Sequence, residues 1–448
     1  MIDLRNKYDT FIFDSFIVEW NDDGLKITYR YLISEYVFTP VVTINKKDIT
    51  NENIDKEFLN YLIFNFGIIN AINYYKLTCS PKIKINCGYL DNIQKEFFKK
   101  LFYNGLGELL YTNNLNIDYE DFLDIETIDK KYEFNIFDTF NGNLIPVGGG
   151  KDSIVTLELL KNEKVKNKCF LYKRDIYPTD MASLNTIYTA GYENFDILSF
   201  NVTLDPLMLE LNKKGFYNGH VPFSSCLAFG AYMMAYLNNK KYIVLSNEAS
   251  ANEGNVKNSN INHQYSKSFE FEKDFRGYTE KYFTKYIEYF SLLRCWNEFQ
   301  IVKEFVKYPK YFNVFRSCNR GSKNNTWCSD CSKCLYVYIM LYPFLDKKVL
   351  IDIFGKDMLN ELKYKEIFLG LISDNYDKPF ECVGTKEEIN YALKLSIEKY
   401  TYLPELLKFY KDNFYDKNKE YFIEDYFNNE NFINEKFLKM MGYDNFEK

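Results

Sequence analysis

The sequence predicts an α/β protein in which a central parallel sheet follows an N-terminal α+β domain and precedes a mainly helical C-terminal region. Three observations support this fold class. Apolar and polar residues alternate over residues 11–42, strands alternate with helices from residue 143, and helical spacing dominates beyond residue 278. A chain of 448 residues is long enough for two or three domains with cores of their own.

The N-terminal α+β domain is predicted over residues 1–135. The alternating segments "FIFDSFIVEW" and "LKITYRYLI" flank "NDDG" at 21–24, which favours a hairpin, and "YVFTPVVTI" adds a third strand. Helical spacing follows at 56–75 and 93–111, with the strand-like "PKIKINC" between them.

The central domain is predicted over residues 136–277 from its succession of strands and helices. "LIPVG" leads into the helix "SIVTLELLK", and further strands are expected at 168–174, 195–202 and 241–250. "PLMLELN" and "CLAFGAYMMAYL" have helical spacing. Such alternation implies a parallel sheet with right-handed crossovers. Ligands bind at the carboxyl ends of parallel strands, where "GGGKDS" and "SNEAS" are expected to lie.

The C-terminal part is predicted to be helical from "YTEKYFTKYIEYFSLLRCWNEFQIVKEF" onward. We divide it into a segment with four closely spaced cysteines, residues 278–345, and a final helical region, residues 346–448.

The charge balance argues against nucleic acid and membrane as partners. Lysine and arginine number 56 against 62 acidic residues, a net charge of −6, whereas a nucleic-acid-binding protein needs a basic surface. Aspartates at 3, 9 and 14 interrupt any signal-peptide core, and the apolar stretch 226–237 is far shorter than the roughly 20 residues of a membrane span. We therefore expect a cytoplasmic protein whose cysteines are mostly reduced.

The segment "GGGKDS", residues 148–153, predicts a phosphate-binding loop between a strand and a helix. A Walker loop would need glycine at position 145 and serine or threonine at position 152, but the chain has Ile145 and Asp152 there. A dinucleotide fingerprint would need glycine at position 153, which is Ser153. The order S-G-G-x-D-S of the pyrophosphate loop (PP-loop) of N-type ATP pyrophosphatases fits, with Gly148 in place of the first serine. Glycine backbone and a helix N-terminus both favour phosphate. A glycine-rich turn without a ligand is the alternative.

The same loop supplies side chains suited to ATP and Mg²⁺. The hydroxyl of Ser153 can donate to pyrophosphate, Asp152 can hold Mg²⁺ or position backbone amides, and Lys151 adds positive charge. Enzymes with this loop usually cleave ATP between its α and β phosphates and adenylate a carboxylate, amide or carbonyl oxygen.

The array C-x9-C-x2-C-x2-C predicts a structural zinc site. Its ligands are Cys318, Cys328, Cys331 and Cys334. Four thiolates with no open position suit zinc, while an iron–sulfur cluster and redox or sulfur-carrying cysteines remain alternatives. The other six cysteines are scattered, and each is expected to be a small buried hydrophobic residue. They are Cys79, Cys87, Cys169, Cys226, Cys295 and Cys382.

Polar clusters surround the two histidines and follow two predicted strands. His220 lies in "YNGHVPFSSC" and His263 in "INHQYSKSFEFE", and an imidazole can act as an acid or a base near neutral pH. A polar segment at the end of a buried strand indicates that the strand opens into a cleft, and a solvated loop is the alternative. The two loops contain Lys173, Arg174 and Asp175, and Asn247, Glu248, Glu253 and Asn255.

Taken in order, these segments resemble one enzyme family. "GLGELLYTN", "PVGGGKDS", "NGHVPFSS", "LSNEASANEGN", "NHQYSKSFEFE" and "WCSDCSKC" look like successive blocks of the UDP-N-acetylmuramoyl-L-alanyl-L-glutamate epimerases, the MurL family. The likeness spans roughly residues 100–340. A more distant similarity, through the PP-loop and the four cysteines, is to 7-cyano-7-deazaguanine synthases. The resemblance implies a PP-loop core of the adenine nucleotide alpha hydrolase (HUP) type.

The resemblance further implies an ATP- and Mg²⁺-dependent step of peptidoglycan precursor synthesis. The terminal L-Glu of UDP-MurNAc-L-Ala-L-Glu would become D-Glu through an acyl-adenylate, with release of AMP and pyrophosphate, after a muramoyl-L-alanine L-glutamate ligase has made the substrate. The residues expected to act are Gly148, Gly149, Gly150, Lys151 and Ser153 on pyrophosphate; Asp152 and Glu248 on Mg²⁺; His263, His220, Cys226 and Glu248 in catalysis; and Arg174, Asn247 and Lys267 on the substrate.

Three other functions remain open from the sequence. The first is a different carboxylate-adenylating enzyme on the same loop, such as a deazaguanine synthase-like ligase. The second is tRNA thiolation, against which the net charge of −6 argues. The third is a non-catalytic nucleotide-binding or zinc scaffold protein. The oligomeric state is not predicted.

Overall fold

The computed structural model describes residues 3–175, 181–252, 254, 261–321 and 324–443. Eleven strands are β1 (Thr10–Asn21), β2 (Gly24–Ile33), β3 (Tyr36–Phe38), β4 (Val41–Asn45), β5 (Lys82–Ile85), β6 (Asp124–Thr127), β7 (Asn143–Pro146), β8 (Asn167–Arg174), β9 (Ile197–Thr203), β10 (Tyr242–Leu245) and β11 (Glu288–Ser291).

The helices of the first two thirds of the described chain cover the sheet. They are α1 (Leu4–Lys7), α2 (Lys56–Tyr75), α3 (Asn92–Gly105), α4 (Gly107–Thr112), α5 (Tyr119–Phe122), α6 (Lys151–Leu159), α7 (Met181–Thr189), α8 (Leu207–Lys213), α9 (Phe223–Leu237) and α10 (Phe269–Tyr282). The later helices are α11 (Glu298–Phe305), α12 (Ser332–Leu341), α13 (Lys347–Phe354), α14 (Lys365–Ile372), α15 (Lys386–Lys399), α16 (Glu405–Asn413) and α17 (Glu435–Met440).

All the strands belong to one mixed sheet, ordered β11-β10-β7-β8-β9-β4-β2-β1-β5-β6, with β3 paired to β2. The five strands from β11 to β9 are parallel, as predicted for the central part of the chain. β4 joins this set antiparallel to β9, pairing Val42 with Val202, so the N-terminal strands extend the same sheet. The sheet is therefore continuous across residue 135, and the four-part division of the chain stays a prediction.

The core lies on both faces of the sheet, as expected when parallel strands are covered by helices. Along β7, Leu144 points into a core with α2, α9 and α10, and Ile145 points into a second core with α6, α11, α12 and α15. The alternation of side chains along a strand produces this division. The helix α2 is buried on almost all sides because it lies between the sheet and α9.

One predicted helix is wrong in its middle. The segment expected to be helical from residue 278 contains the strand β11, which pairs in parallel with β10. A short apolar run such as "EYFS" fits a buried strand as well as a helix, and pairing with β10 decided between them. The remaining C-terminal chain is mainly helical, as predicted.

None of the helices in the described part of the chain is long and apolar enough to cross a lipid bilayer.

Candidate active site

The glycine loop joins β7 to α6, as the sequence predicts. Gly149 has φ +76°, and a Cβ there would lie 2.7 Å from the backbone of Ala182 and Ser183. Gly148 has open space around it, and the hydroxyl of Ser153 donates to the Gly150 carbonyl over 2.9 Å. Gly149 is thus needed for backbone conformation and close packing, while Gly148 leaves room beside the loop.

A cleft beside the loop consists of two adjoining chambers. The loop chamber, about 460 Å³, is lined by Gly148, Gly150, Asp152, Ser153, Asn247 and Glu248, among others. The histidine chamber, about 720 Å³, is lined by Lys76, Arg174, His220 and His263, among others. Gly148, Lys267 and Cys382 line both, so the chambers meet along a shared wall. The sheet topology explains this position, because the loops after β7, β8 and β10 lie at the carboxyl ends of parallel strands.

Three carboxylates meet at the end of the loop chamber. One oxygen from each of Asp152, Glu248 and Glu298 lies within 4.8 Å of the others. Burial, followed by the negative charge of Asp152, raises the pKa of Glu248; burial likewise raises the pKa of Glu298, although Lys151 opposes it. Such a group favours a cation, and oxygen ligands suit Mg²⁺. Glu298, at the start of α11, was not predicted, since no motif in the sequence links it to the loop.

Lys151 is placed differently from the prediction. Its ammonium group is buried and ion-paired with Asp152 and Glu298, and its side chain does not line either chamber. Lys151 therefore compensates the carboxylates of Asp152 and Glu298.

The two histidines come together with a carboxylate that the sequence did not single out. The rings of His220 and His263 have centroids 4.0 Å apart, and Nδ1 of His263 contacts the carboxylate of Glu108. Burial opposes protonation of His263, but hydrogen bonds to Cys382 and Glu108 outweigh it and raise its pKa to about 9. Burial and the charge of His263 lower the pKa of His220 to about 3. At neutral pH His263 is an imidazolium and His220 a neutral imidazole.

Cys382 is a residue of the cleft, so the prediction of an inert buried thiol is wrong for it. Nζ of Lys267 lies 3.2 Å from its Sγ. Burial would raise the pKa of this thiol, but the charge of Lys267 and a hydrogen bond with His263 outweigh burial and lower it to about 6. No motif surrounds Cys382 in the sequence, and it is brought to the cleft by the segment between α14 and α15. The prediction holds for the other five scattered cysteines, which are buried.

Cys226, predicted as a catalytic residue, lies in the core and away from both chambers. It is fully buried in α9, its Sγ lies 3.8 Å from the Ile69 carbonyl, and it lines neither chamber. Burial raises the pKa of its thiol to about 11, which makes it a poor base.

The histidine chamber is cationic. The guanidinium of Arg174 lies over the ring of Phe223, 4.3 Å from its centroid, and its Nη2 is buried without a hydrogen-bond partner among the described residues. Lys76 adds a second cation, whose pKa is lowered to about 8 by burial and by Arg174. No aspartate or glutamate is among the described residues that line this chamber. A buried, unpaired guanidinium nitrogen indicates an anionic ligand.

The remaining predicted residues fall into three groups. Asn247 lines the loop chamber and donates to the hydroxyl of Ser291 over 3.1 Å. Lys173 and Asp175 line neither chamber. Glu253 and Asn255 lie outside the described residues.

A buried arginine holds two of the cleft segments. Arg294 pairs with Glu272 at 3.0 Å and donates to the carbonyl oxygens of Glu248 and Lys267, both at 2.5 Å. Through these bonds one guanidinium fixes the segment after β10 and the segment before α10.

The four cysteines converge as predicted. Their sulfur atoms lie within 4.8 Å of one another, with separations of 3.7 Å (Cys318–Cys331), 3.6 Å (Cys328–Cys334) and 3.5 Å (Cys331–Cys334). A tetrahedral zinc with bonds of about 2.3 Å places its sulfurs about 3.8 Å apart, so these residues fit the metal. All four are free thiols.

The cysteine cluster also forms part of the cleft wall. Ser317 and Asn319, on either side of Cys318, line the loop chamber together with Lys333. Lys333 lies between Cys331 and Cys334 in the sequence and donates to the Cys382 carbonyl. Residues adjacent to the cysteines therefore form part of the cleft, and a change in the position of the thiol cluster would move them.

Comparisons with known proteins bear on this site. The family model described as the MurL N-terminal domain matches residues 3–292, and that described as the MurL C-terminal domain matches residues 314–407. Both chambers and the cysteine cluster fall within these two ranges. No solved structure matches the chain.

Three curated relatives share one name, UDP-N-acetyl-alpha-D-muramoyl-L-alanyl-L-glutamate epimerase. The protein of Xanthomonas oryzae pv. oryzae is 29% identical over 73% of this chain and 72% of its own. That of Micromonospora sp. is 28% identical over 88% of both chains, and that of Salinispora tropica is 35% identical over 56% and 55%. Since the N-terminal family model alone covers well over half of the sequence, the chain belongs to the MurL family.

Proposed function

We propose that this protein is an ATP-dependent isomerase that converts the terminal L-Glu of UDP-MurNAc-L-Ala-L-Glu to D-Glu. The relatives named as epimerases of this muramoyl dipeptide support the substrate and the reaction. One observation in the structure carries the proposal: a cationic chamber that contains proton-transfer groups opens directly into a chamber built around a glycine loop. A muramoyl dipeptide nucleotide has a diphosphate and carboxylates, which such a chamber attracts.

ATP is assigned to the loop chamber. The backbone amides of residues 148–150 and the N-terminus of α6 would bind its phosphates, together with the hydroxyl of Ser153, which lines the same chamber. Asp152, Glu248 and Glu298 would hold Mg²⁺, which supplies positive charge to the triphosphate. Asn247 lines the same chamber and is assigned to substrate contact.

The muramoyl dipeptide is assigned to the histidine chamber. Arg174 has an unsatisfied donor there, and Lys76 and Lys267 add positive charge. We assign Arg174 and Lys76 to the anionic groups of the substrate. The carboxylate to be activated must then reach the shared wall, where the described residues of the two chambers meet.

Activation of that carboxylate explains why an epimerase would consume ATP. Loss of the Cα proton next to a carboxylate would create a dianion, which is strongly disfavoured. Adenylation removes the negative charge and produces a carbonyl that can delocalise the carbanion. Proton removal, return of a proton on the other face and hydrolysis then give the D-epimer, AMP and pyrophosphate. His263, an imidazolium at neutral pH, is suited to return the proton, and neutral His220 to hydrogen-bond the substrate.

Zinc is assigned a structural role at the four cysteines. A four-thiolate site leaves no coordination position for a substrate, so bound zinc would fix the wall that carries Ser317, Asn319 and Lys333. The substrate is expected to come from a ligase that joins L-Glu to a muramoyl-L-alanine nucleotide, because that reaction forms the dipeptide.

The decisive experiment incubates the protein with UDP-MurNAc-L-Ala-L-Glu, ATP and Mg²⁺ in D₂O. We expect D-Glu in the product, one deuterium at its Cα, and AMP and pyrophosphate in proportion. Inversion at an undiminished rate without ATP would refute the adenylation. Pyrophosphate release with another carboxylic acid but not with this dipeptide would instead favour a different carboxylate-adenylating enzyme.

A further inference from the structure

Cys382 has surroundings that none of the functions assigned above requires. It lies in the segment between α14 and α15 and lines both chambers. Its Sγ is 3.2 Å from Nζ of Lys267 and hydrogen-bonded with the imidazole of His263. Its carbonyl accepts a hydrogen bond from Lys333, which holds the backbone in place. A thiol fixed between two cationic groups is stabilised as a thiolate.

Cys382 lies on the wall to which the proposed function assigns the reacting carbon. If ATP occupies the loop chamber and the nucleotide dipeptide the histidine chamber, the activated carboxyl group and its Cα must lie along the wall that the chambers share. Of the ionisable side chains on that wall, Tyr172 and Lys267 are unsuited to remove a proton. Burial raises the pKa of Tyr172, and the negative charge of Cys382 raises that of Lys267, so the first stays a neutral phenol and the second an ammonium. Among the described residues of that wall, Cys382 is the remaining ionisable group.

We propose that Cys382 is a catalytic acid–base residue that removes the Cα proton of the activated glutamyl group and works as a pair with His263. This inference rests on the proposed function and adds to it the base, which the sequence did not identify. Lys267 acts as a positioning residue that stabilises the thiolate, and Glu108 does the same for the imidazolium.

Each proton in the reaction passes between Cα, Cys382 and His263. The thiolate takes the Cα proton and becomes a thiol, while the C–H electron pair moves into the activated carbonyl. With Cα between the two groups, so that their hydrogen bond is interrupted, the His263 imidazolium gives its proton to the face opposite Cys382 and becomes neutral. After hydrolysis and product release the thiol and the imidazole meet again, and the thiol proton passes to the imidazole along their hydrogen bond. This transfer restores the thiolate and the imidazolium, the forms that the lowered pKa of Cys382 and the raised pKa of His263 favour at neutral pH.

The test separates carboxylate activation from proton transfer. The full-length variants Cys382→Ala and Cys382→Ser are compared with the wild type and with Cys87→Ser, a buried cysteine that lines neither chamber. Two rates are measured: ATP–pyrophosphate exchange that depends on the dipeptide, and deuterium incorporation at Cα. We expect both Cys382 variants to retain exchange within about threefold while deuterium incorporation falls by about 10²-fold or more, the usual size of an acid–base contribution.

The outcomes distinguish the two proposals. If the wild type shows no exchange with the dipeptide, the proposed function itself fails. If the wild type shows exchange and Cys382→Ala still incorporates deuterium within about threefold of wild type, only the role of Cys382 is refuted. A dipeptide-dependent mass increase on Cys382 that hydroxylamine removes would also refute it, because the thiolate would then be a nucleophile.

A measurement on the wild-type protein tests the thiolate without any substitution, so its result does not depend on whether a variant folds. Iodoacetamide is applied at pH 7, and the modified residues are identified by peptide mass spectrometry. We expect Cys382 to react at least about tenfold faster than Cys87, since thiolates and not thiols react, and the dipeptide to slow its modification. Modification of Cys382 no faster than that of Cys87 would refute the thiolate and with it the proposal.

Discussion

At the residue scale, the charge of each group in the histidine chamber follows from its immediate neighbours. The rings of His220 and His263 are in contact, but the hydrogen bonds to the Glu108 carboxylate and the Cys382 thiol are made by His263. Two buried imidazoles in contact do not readily both become positively charged. The proton is therefore held by His263, which is hydrogen-bonded to Glu108 and Cys382. The two histidines are therefore given different roles by Glu108 and Cys382.

The pH dependence of kcat/KM should be bell-shaped, with limits near pH 6 and pH 9. Activity is expected to fall below about pH 6, because the Cys382 thiolate becomes protonated, and above about pH 9, because His263 loses its proton. Glu108→Gln removes the charge that helps to raise the pKa of His263, so its alkaline limit should move to lower pH. The surface variant Glu126→Gln should keep the wild-type profile, and an unchanged alkaline limit in Glu108→Gln would contradict the assignment.

Arg174 is predicted to bind substrate and to leave ATP binding unaffected. Arg174→Ala should raise the KM for the muramoyl dipeptide by about 10- to 100-fold, because a charged hydrogen bond is worth about 1.5–3 kcal/mol, while the KM for ATP stays within about twofold. Steady-state kinetics with each substrate varied measures this. Arg30→Ala, which removes a surface ion pair with Asp14, is the control. An equal rise in both KM values would contradict the prediction.

At the element scale, the cleft depends on how loops are fixed between strands and helices. The glycine loop needs an unusual backbone conformation, and the segments after β10 and before α10 need a common anchor. Both requirements concern contacts between elements distant in sequence, which explains why neither could be read from local spacing.

Two glycines of the loop should differ in their effect on stability. Gly149→Ala forces an alanine to φ +76° with its Cβ 2.7 Å from the backbone of Ala182, so we expect a loss of about 1–3 kcal/mol in the free energy of unfolding. Gly148→Ala has open space and should change stability by less than about 0.5 kcal/mol. Urea unfolding measures both, and equal losses would contradict the packing argument.

Arg294 should be among the most sensitive positions in the chain. Arg294→Leu leaves Glu272 buried without its partner and frees two carbonyls, so about 3–5 kcal/mol of stability should be lost. The double variant Arg294→Leu, Glu272→Leu should lose less, because no buried charge is left alone. Thermal or urea unfolding tests this, with Arg30→Ala as the exposed control. A double variant less stable than the single one would show that the ion pair is not the cause.

At the scale of the whole molecule, the C-terminal region completes a cleft that the sheet begins. The sheet supplies the glycine loop and the polar strand ends, while the cysteine cluster and the segment before α15 supply Lys333 and Cys382. The segments that line the cleft therefore come from both matched parts of the chain, residues 3–292 and 314–407.

Loss of metal from the cysteine cluster should weaken ATP binding as well as stability. Cys331→Ser is expected to lose bound zinc, measured by elemental analysis, to unfold at a lower temperature, and to raise the KM for ATP, because Ser317, Asn319 and Lys333 would lose their support. Cys87→Ser should keep about one zinc per chain. A Cys331→Ser protein with no zinc and normal ATP kinetics would contradict this coupling.

The sequence by itself determined the features that depend on local spacing. Alternation and helical periodicity predicted the central parallel strands, the spacing of "GGGKDS" predicted the strand–loop–helix, and the cysteine spacing predicted the convergence of four thiols. Each of these results from residues close together in the chain, where the backbone geometry limits the possible arrangements. The ordered blocks also identified the family.

Only the tertiary structure decided the charges and partners in the cleft. Glu298 and Cys382 gave no signal in the sequence, and Glu108 lay in the block "GLGELLYTN" without being singled out. Lys151 proved to be a buried counter-ion, and Cys226 proved to be a core residue. A side chain's pKa depends on burial and on charges brought next to it by folding, and in this cleft those neighbours lie more than a hundred residues away along the chain. The spacing of residues along the chain does not predict these neighbours, so the acid–base groups are identified from the fold alone.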